Sequence, residues 1–402
     1  MLRRSSIPLL LGAAVLVLAP TRAGKVFAQT AICGQFTDVP ASSPFCPYIL
    51  QAFISNLSQG TSSTTYDPSD AVTRDQQAVF ITRTMDQTIH RTAAARIAMG
   101  KTWLPTASNG GITTDVGGSV NDLATDGSFL WIARTDSKVL KVSLADRRIL
   151  ETWSMSSGVP RKLGLFAGQV WMADDQGRLH SFNPTNTAGI ATLLFSGTAT
   201  GITVGSPSMA FDGTSIWLAS ANGPKVFVYP VSTSGGVTFT MPANVDGLVF
   251  DGTYMWVLLA NATLVKLGLP AFGSTPTVVE TLPIPGAVND CRMLYDGTNI
   301  WIPIGATGTL YVVRPTQNLA GSPSQIVANQ TIPDVIFPYV AAFDGENVMI
   351  GGANNGTVAL FKATNLGLIR TFASGAIAVR GIASDGRTFN IGDALGNSFF
   401  QY

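Results

Sequence analysis

The chain has 402 residues, enough for one large repeat domain with an appendage or for two to three ordinary domains. Only 12% of them are charged, against roughly 25% in an average globular chain, and 25 Lys+Arg stand against 24 Asp+Glu for a formal net charge of +1. With no basic stripe and no acidic tail, the sequence argues against a nucleic-acid footprint; Gly, Ser, Thr and Asn fill the polar positions, which suits short strands joined by tight turns.

At the N-terminus Arg3 and Arg4 precede an apolar run from Ile7 to Ala19, too short to span a bilayer comfortably. "VFA" at Val26–Ala28 supplies the small residues that a signal peptidase prefers. Residues 1–28 are therefore expected to be a signal peptide, an uncleaved anchor being the alternative, with no membrane span after cleavage. The mature protein is expected to be secreted or held at a bacterial cell surface. Of the three cysteines, Cys33 and Cys46 flank a short polar segment, and export permits a disulfide between them worth roughly 3 kcal/mol. Cys291 stands alone in "NDCRML" and reads as a small core residue.

Residues 29–88 read as a small helical module. Asp38 and the Ser42–Pro44 run precede apolar positions at Ile49, Phe53 and Leu57, the spacing of a first helix. A turn-rich stretch leads to "AVTRDQQAVFITRTM", a second helix with Val72, Val79, Phe80 and Met85 apolar and Thr73 as its cap. Two short helices bury too little surface to stand alone, so the unit needs a staple or neighbours. The segment resembles a surface-layer homology (SLH) domain through "FTDVP" (Phe36–Pro40), Phe45, Gly60, "YDP" (Tyr66–Pro68) and "VTRDQQAVFITR" (Val72–Arg83). It is also similar to a bacterial subgroup with two cysteine pairs, of which Cys33 and Cys46 are kept while Thr61 and Asp67 occupy the second pair's positions. The resemblance implies contact with acidic cell-wall or envelope polysaccharide through Arg74, with Thr73 and Gln76 beside it. A guanidinium suits an anionic sugar; the other reading of Arg74 is a solvent-facing or helix-capping side chain. The family's glutamate is Gln76 here, and one module stands where the family usually has three, so self-association through the module is a further expectation.

Residues 89–110 read as a linker, and the remainder of the chain is periodic. A turn glycine recurs at Gly127, Gly168, Gly213, Gly252, Gly297, Gly345 and Gly386, at intervals of 41, 45, 39, 45, 48 and 41 residues. Asp126, Asp212, Asp251, Asp296, Asp344 and Asp385 precede six of the seven, Ala167 being the exception. Trp131, Trp217, Trp256 and Trp301 follow their glycine by four residues and Trp171 by three, while Met349 and Asn390 hold the slot in the last two copies. Each unit carries four short apolar runs, as in "PSMAF", "SIWLA", "KVFVYP" and "GVTFTM". Four strands every ~43 residues describe the blades of a β-propeller. The fold class is thus mainly β, a seven-bladed propeller of four-stranded blades over 111–402 beside the small helical module. The last unit lacks a fourth strand, and "GITTDV" (111–116) is expected to supply it by pairing with Asn397–Tyr402. The blade phrases at Phe211–Ala219 and Tyr295–Ile302 resemble those of bacterial YVTN and virginiamycin-B-lyase-like propellers, a likeness specific for architecture and weak for activity.

Catalytic signatures are sparse. That lyase-like chemistry implies blade histidines, and the two histidines here are His90 in the linker and His180 in the second unit. There is no G-x-S-x-G elbow, Walker loop, HExxH or CxxC. Asp174–Asp175 and Asp385 with Asp393 read as turn caps before they read as cation ligands. No catalytic residue, metal or cofactor is assigned. The leading expectation is a non-catalytic cell-surface protein whose module docks on glycan while the propeller acts as scaffold; the alternative is a secreted propeller lyase or hydrolase using carboxylates on inter-blade loops.

Overall fold

A computed structural model describes residues 32–54, 57–88 and 111–402, the last without 187, 196–199, 203–206, 221, 233–234, 270–273, 287–290 and 317–322. The expected signal peptide and linker lie outside the described residues. The chain divides into two compact units, Met1–Trp103 and Leu104–Tyr402.

In the first unit a strand pair, Ile32–Cys33 with Phe36–Pro40, precedes helix α1 (Cys46–Ile54) and helix α2 (Arg74–Thr88). Ser43 accepts the Phe45 amide at 3.3 Å just before α1, an N-terminal role that suits serine. Helix α1 is described as far as Ile54, and the amide of Leu57, the last of the expected apolar positions, bonds the Ala52 carbonyl at 2.8 Å. Cys33, Phe36, Val39, Cys46 and Ile49 form a small core with Leu50, Phe53 and Tyr66 against it. Phe36 meets Phe53 and Tyr66 edge-on, at 5.4 and 5.2 Å between ring centres. A disulfide joins Cys33 to Cys46, the staple so small a core needs. Of the apolar positions expected for α2, Val72 just before the helix and Val79 are exposed while Phe80 is half-buried; Ile81, not among them, is exposed too.

The second unit is a β-propeller built from antiparallel meanders. The third repeat shows the pattern: Pro207–Phe211, Ser215–Ser220, Lys225–Pro230 and Val237–Thr240 pair in sequence order. The first strands are buried almost throughout, whereas Val237–Thr240 alternates between half-buried and exposed. That difference reflects an inner strand packed on both faces and an outer strand at the rim. Adjacent sheets share apolar cores; Trp217 and Val226 of the third repeat pack in one cluster with Leu248, Met255 and Val257 of the fourth.

Ile112–Asp115 pairs antiparallel with Ser398–Gln401, completing the sheet of Val379–Ser384 and Phe389–Asp393. Phe399 and Ala383 of this sheet pack with Val120, Leu123, Leu130 and Ile132 of the first repeat, so the last sheet lies against the first. Seven separate four-stranded sheets are not what the chain forms. Among the described residues of this unit there are five of four strands and one of eight, in which the first two repeats are fused. Their outer strands, Ile149–Met155 and Ile190–Phe195, pair in parallel through Ile190 with Ser154 and Ala191 with Met155. The fusion arises at the rim, where unpaired strand edges would otherwise face each other.

One irregularity recurs on the innermost strands. Asn121, Arg161, Asp246, Tyr339 and Arg380 each sit at a register shift near the start of their strand. A bulge re-aims a side chain out of the regular alternation, and these five bulges occupy equivalent places around the ring.

Candidate functional site

In the small unit, the Asp38 carboxylate accepts the Tyr66 amide at 3.0 Å and the Asp67 amide at 2.6 Å. This ties "FTDVP" to the "YDP" turn. Burial acts to raise the Asp38 pKa, but the amides of Asp67, Tyr66 and Asp38 itself outweigh it and leave it below the ordinary 3.8. The Thr61 hydroxyl donates to the Asp67 carboxylate, so a hydrogen bond joins the two positions where the resemblance would place a second cysteine pair.

The three residues expected to contact glycan are placed differently from one another. Thr73 and Gln76 form a reciprocal cap: the Thr73 amide donates to Gln76 Oε1 at 3.0 Å, and the Gln76 amide to Thr73 Oγ1 at 3.4 Å. The Thr73 hydroxyl also donates to Asp75. This is the capping-box arrangement, and it occupies both side chains with the start of α2. Arg74, the first residue of α2, is exposed and makes no hydrogen bond or ion pair among the described residues. Arg83 lies further along and donates to the Leu57 carbonyl at 3.3 Å. Phe45 and Tyr48, at the start of α1, are 67% and 74% exposed. Tyr48 was invisible to pattern reasoning, because an aromatic in a helix start reads as core until its face is known.

In the propeller, the repeated corner is a hydrogen-bonded unit. Asp212 Oδ1 accepts the Thr214 and Ser215 amides at 2.8 and 2.7 Å, and Asp212 Oδ2 accepts the Trp217 indole N–H at 2.7 Å. Asp251 with Trp256 and Asp296 with Trp301 repeat it, at 2.7 and 2.6 Å. Gly127, Gly213, Gly252, Gly297, Gly345 and Gly386 all have positive φ, between 82° and 96°, which requires glycine. The remaining carboxylates singled out from the sequence are also engaged. Asp175 accepts the Val159 amide, Asp385 the Arg387 and Thr388 amides, and Asp393 the Ala378 and Leu395 amides. Buried Asp174 accepts from Arg178 Nε at 2.6 Å and lies 2.9 Å from His180 Nε2. Burial acts to raise its pKa, yet bonds from His180, Arg178 and Gln176 hold it below 3.8. Among the described residues, no group of three or more His, Cys, Asp or Glu is placed to hold a metal ion.

Four of the five bulged residues, all but Asp246, meet at a cavity at the centre of the ring. Asn121, Arg161, Pro207, Arg292, Tyr339 and Arg380 line about 240 Å³ of space, part of it open to solvent. Arg292 reaches across to the first two repeats: it pairs with Asp122 and donates to the carbonyls of Asn121 at 3.2 Å and Arg161 at 2.8 Å. Asp122 is itself buried, near Lys162 at 3.4 Å, and accepts the Leu163 amide at 2.8 Å. Sequence reasoning missed this cluster, since "PRK", "DCR" and "VRG" are ordinary triplets and a bulge is not legible from one strand.

Residues 35–78 match the S-layer homology domain family. The match covers the strand Phe36–Pro40, α1 and the first turn of α2, and the chain therefore carries an SLH domain. Among curated proteins, a probable inositol polyphosphate 5-phosphatase from Schizosaccharomyces pombe is 21% identical over 203 residues, 48% of this chain. The match spans only 17% of that protein's length. Among solved structures, the Cps50 (Swd1) β-propeller domain from Myceliophteria thermophila superposes with a TM-score of 0.59 at 12% identity, covering 72% of this chain and 98% of that one. That likeness concerns the fold alone.

Proposed function

We propose that this protein is a non-catalytic component of a bacterial cell surface, exported by residues 1–28 and anchored by its SLH domain to acidic cell-wall or envelope polysaccharide. In this reading the propeller is a binding or structural scaffold, and each half of the eight-stranded sheet counts as one blade of a seven-bladed ring over 111–402. The observation that carries the reading is the SLH match at residues 35–78 together with the exposed Arg74 at the head of α2. The cap formed by Thr73 and Gln76 makes these two positioning residues, which fix the helix start, and leaves Arg74 as the contact. Exposed Val72, Val79 and Ile81 support association of several copies through the same module, which would multiply weak single contacts.

Co-sedimentation of the full chain with purified cell-wall sacculi tests this. The wild-type chain is expected to pellet with the sacculi, and Arg74→Ala to bind about tenfold more weakly, the cost of one charge-assisted contact. Equal pelleting of the two would remove Arg74 from the anchor, and no pelleting of either would remove the anchor itself.

A further inference from the structure

The central cavity has a chemistry that the scaffold reading leaves unused. Three guanidinium groups line one space: Arg161 and Arg380 from two different sheets, and Arg292 from just before the strand Leu294–Tyr295. Asp122, next to Asn121, is the carboxylate that pairs across it, and two cations already share that charge, Arg292 and Lys162. Asp246 holds the equivalent bulge on its own strand but is buried and does not line the cavity. We propose that this cavity binds the oxyanion group of a ligand, a carboxylate or a phosphate, with Arg161 and Arg380 making the direct contacts.

The three arginines are not equivalent. Arg292 has both terminal nitrogens committed to Asp122 and to two carbonyls, and its guanidinium lies 5.3 Å from the centre of the Tyr339 ring. It contributes positive charge and holds the ring's opposite sides together. Arg161 is half-buried, and its side chain has one neutral partner, Asn121 Oδ1 at 3.2 Å. Arg380 is exposed and makes no hydrogen bond or ion pair among the described residues. Arg134 and Arg178, by contrast, are neutralised by Asp136 and Asp174. Like charges held together by bulged backbone repel, and a bound oxyanion relieves that repulsion while accepting the planar forks of donors that guanidinium groups present.

Size narrows the ligand. The enclosed part is only about 10 Å³, room for roughly one water-sized group, and the rest of the space opens to solvent. The site can therefore take the head of one anionic group, at the end of a sugar, a peptide side chain or free in solution, with the rest of the ligand left in solvent. The buried walls, Asn121 and Tyr339, are 3% and 8% exposed, which fixes the cavity's shape before any ligand arrives.

Calorimetric titration of the full chain with inorganic phosphate and, separately, with glucuronate at constant ionic strength tests the site. Saturable one-to-one binding of either anion is expected, and the stronger of the two identifies the group as tetrahedral or planar. Arg161→Gln and Arg380→Gln are each expected to weaken it about tenfold or more without shifting the melting temperature. Arg148→Gln, which removes an exposed cation already paired with Asp146, should leave it unchanged. The proposal is overturned if neither anion binds at millimolar concentration, if the two cavity variants bind as wild type does, or if Arg148→Gln weakens binding equally. Sacculus binding depends on Arg74 in the other unit, so the two readings fail separately.

Discussion

The corner Asp–Gly–x–x–x–Trp is a small device whose parts can be weighed one atom at a time. In the fourth repeat Asp251 is 2% exposed, and its second oxygen is satisfied by the buried Trp256 indole. Trp256→Phe keeps an aromatic ring in the slot, with the same loss of volume as Trp131→Phe, but leaves that oxygen without its donor. In the first repeat Asp126 accepts the Ser128 and Phe129 amides, and the Trp131 indole N–H has no acceptor. Trp131→Phe therefore removes an unsatisfied donor rather than a bond. Trp256→Phe is expected to destabilise the propeller by about 1–3 kcal/mol more than Trp131→Phe, the penalty of a stranded buried acceptor, read from urea unfolding. Equal effects would mean that ring volume alone fills the slot. The sixth repeat shows the alternative solution: Met349 has no N–H to give, and Asn347 Nδ2 takes the Asp344 oxygen instead at 3.2 Å. The recurrence of this corner is why the architecture was legible in the sequence, since a turn that demands positive φ and a buried indole tolerates few other residues.

At the scale of elements, the small unit depends on links between segments that its core is too slight to hold. Asp38 is one, joining the strand Phe36–Pro40 to the turn at Tyr66–Asp67. Its folded pKa lies below the unfolded 3.8, so its contribution is fully present above 3.8 and disappears as pH falls through the lower folded value. The unit's resistance to urea is expected to be flat near neutral pH and to decline below about pH 4, and Asp38→Asn should be weaker at neutral pH with a shallower acid decline. An acid profile identical in the variant would assign the decline to other carboxylates. The helix start at Thr73 was legible as a cap, but resemblance also assigned its side chain and that of Gln76 to glycan. The reciprocal bonds between them now give both a local role. Exposure of Val79 and Ile81 was not legible, because helical periodicity reports which residues share a face and not whether anything covers it.

At the scale of the molecule, the strand Ile112–Asp115 completes a sheet whose other strands lie almost 270 residues downstream. Four rungs connect it to Ser398–Gln401. Deleting residues 112–115 is expected to cost roughly 3 kcal/mol or more at about 1 kcal/mol per backbone bond, and to lower the propeller's melting temperature by roughly 5–10 °C. An unchanged melting temperature would mean that the ring holds without its closing strand. The closing strand was legible by subtraction, because the last repeat showed three apolar runs where the others showed four and a spare strand preceded the first. The fused rim was not, since parallel pairing between Ile190–Phe195 and Ile149–Met155 depends on how closely two outer edges approach, and neither edge encodes its neighbour. Arg161 and Arg380 escaped for a related reason: each is one residue out of register, a displacement visible only against a partner strand.

The closing strand has a mechanical consequence. Pulling on the chain from its upstream side reaches Ile112 first, so tension enters the propeller through the same four rungs that close it. An anchor in the small unit and the closure of the ring are therefore in series. In the proposed anchored state, a steady tug bears on the latch before it bears on any of the downstream meanders. Under load the first event would be release of one strand, lengthening the tether by a few residues while the remaining sheets stay folded, a give that resets when the strand pairs again.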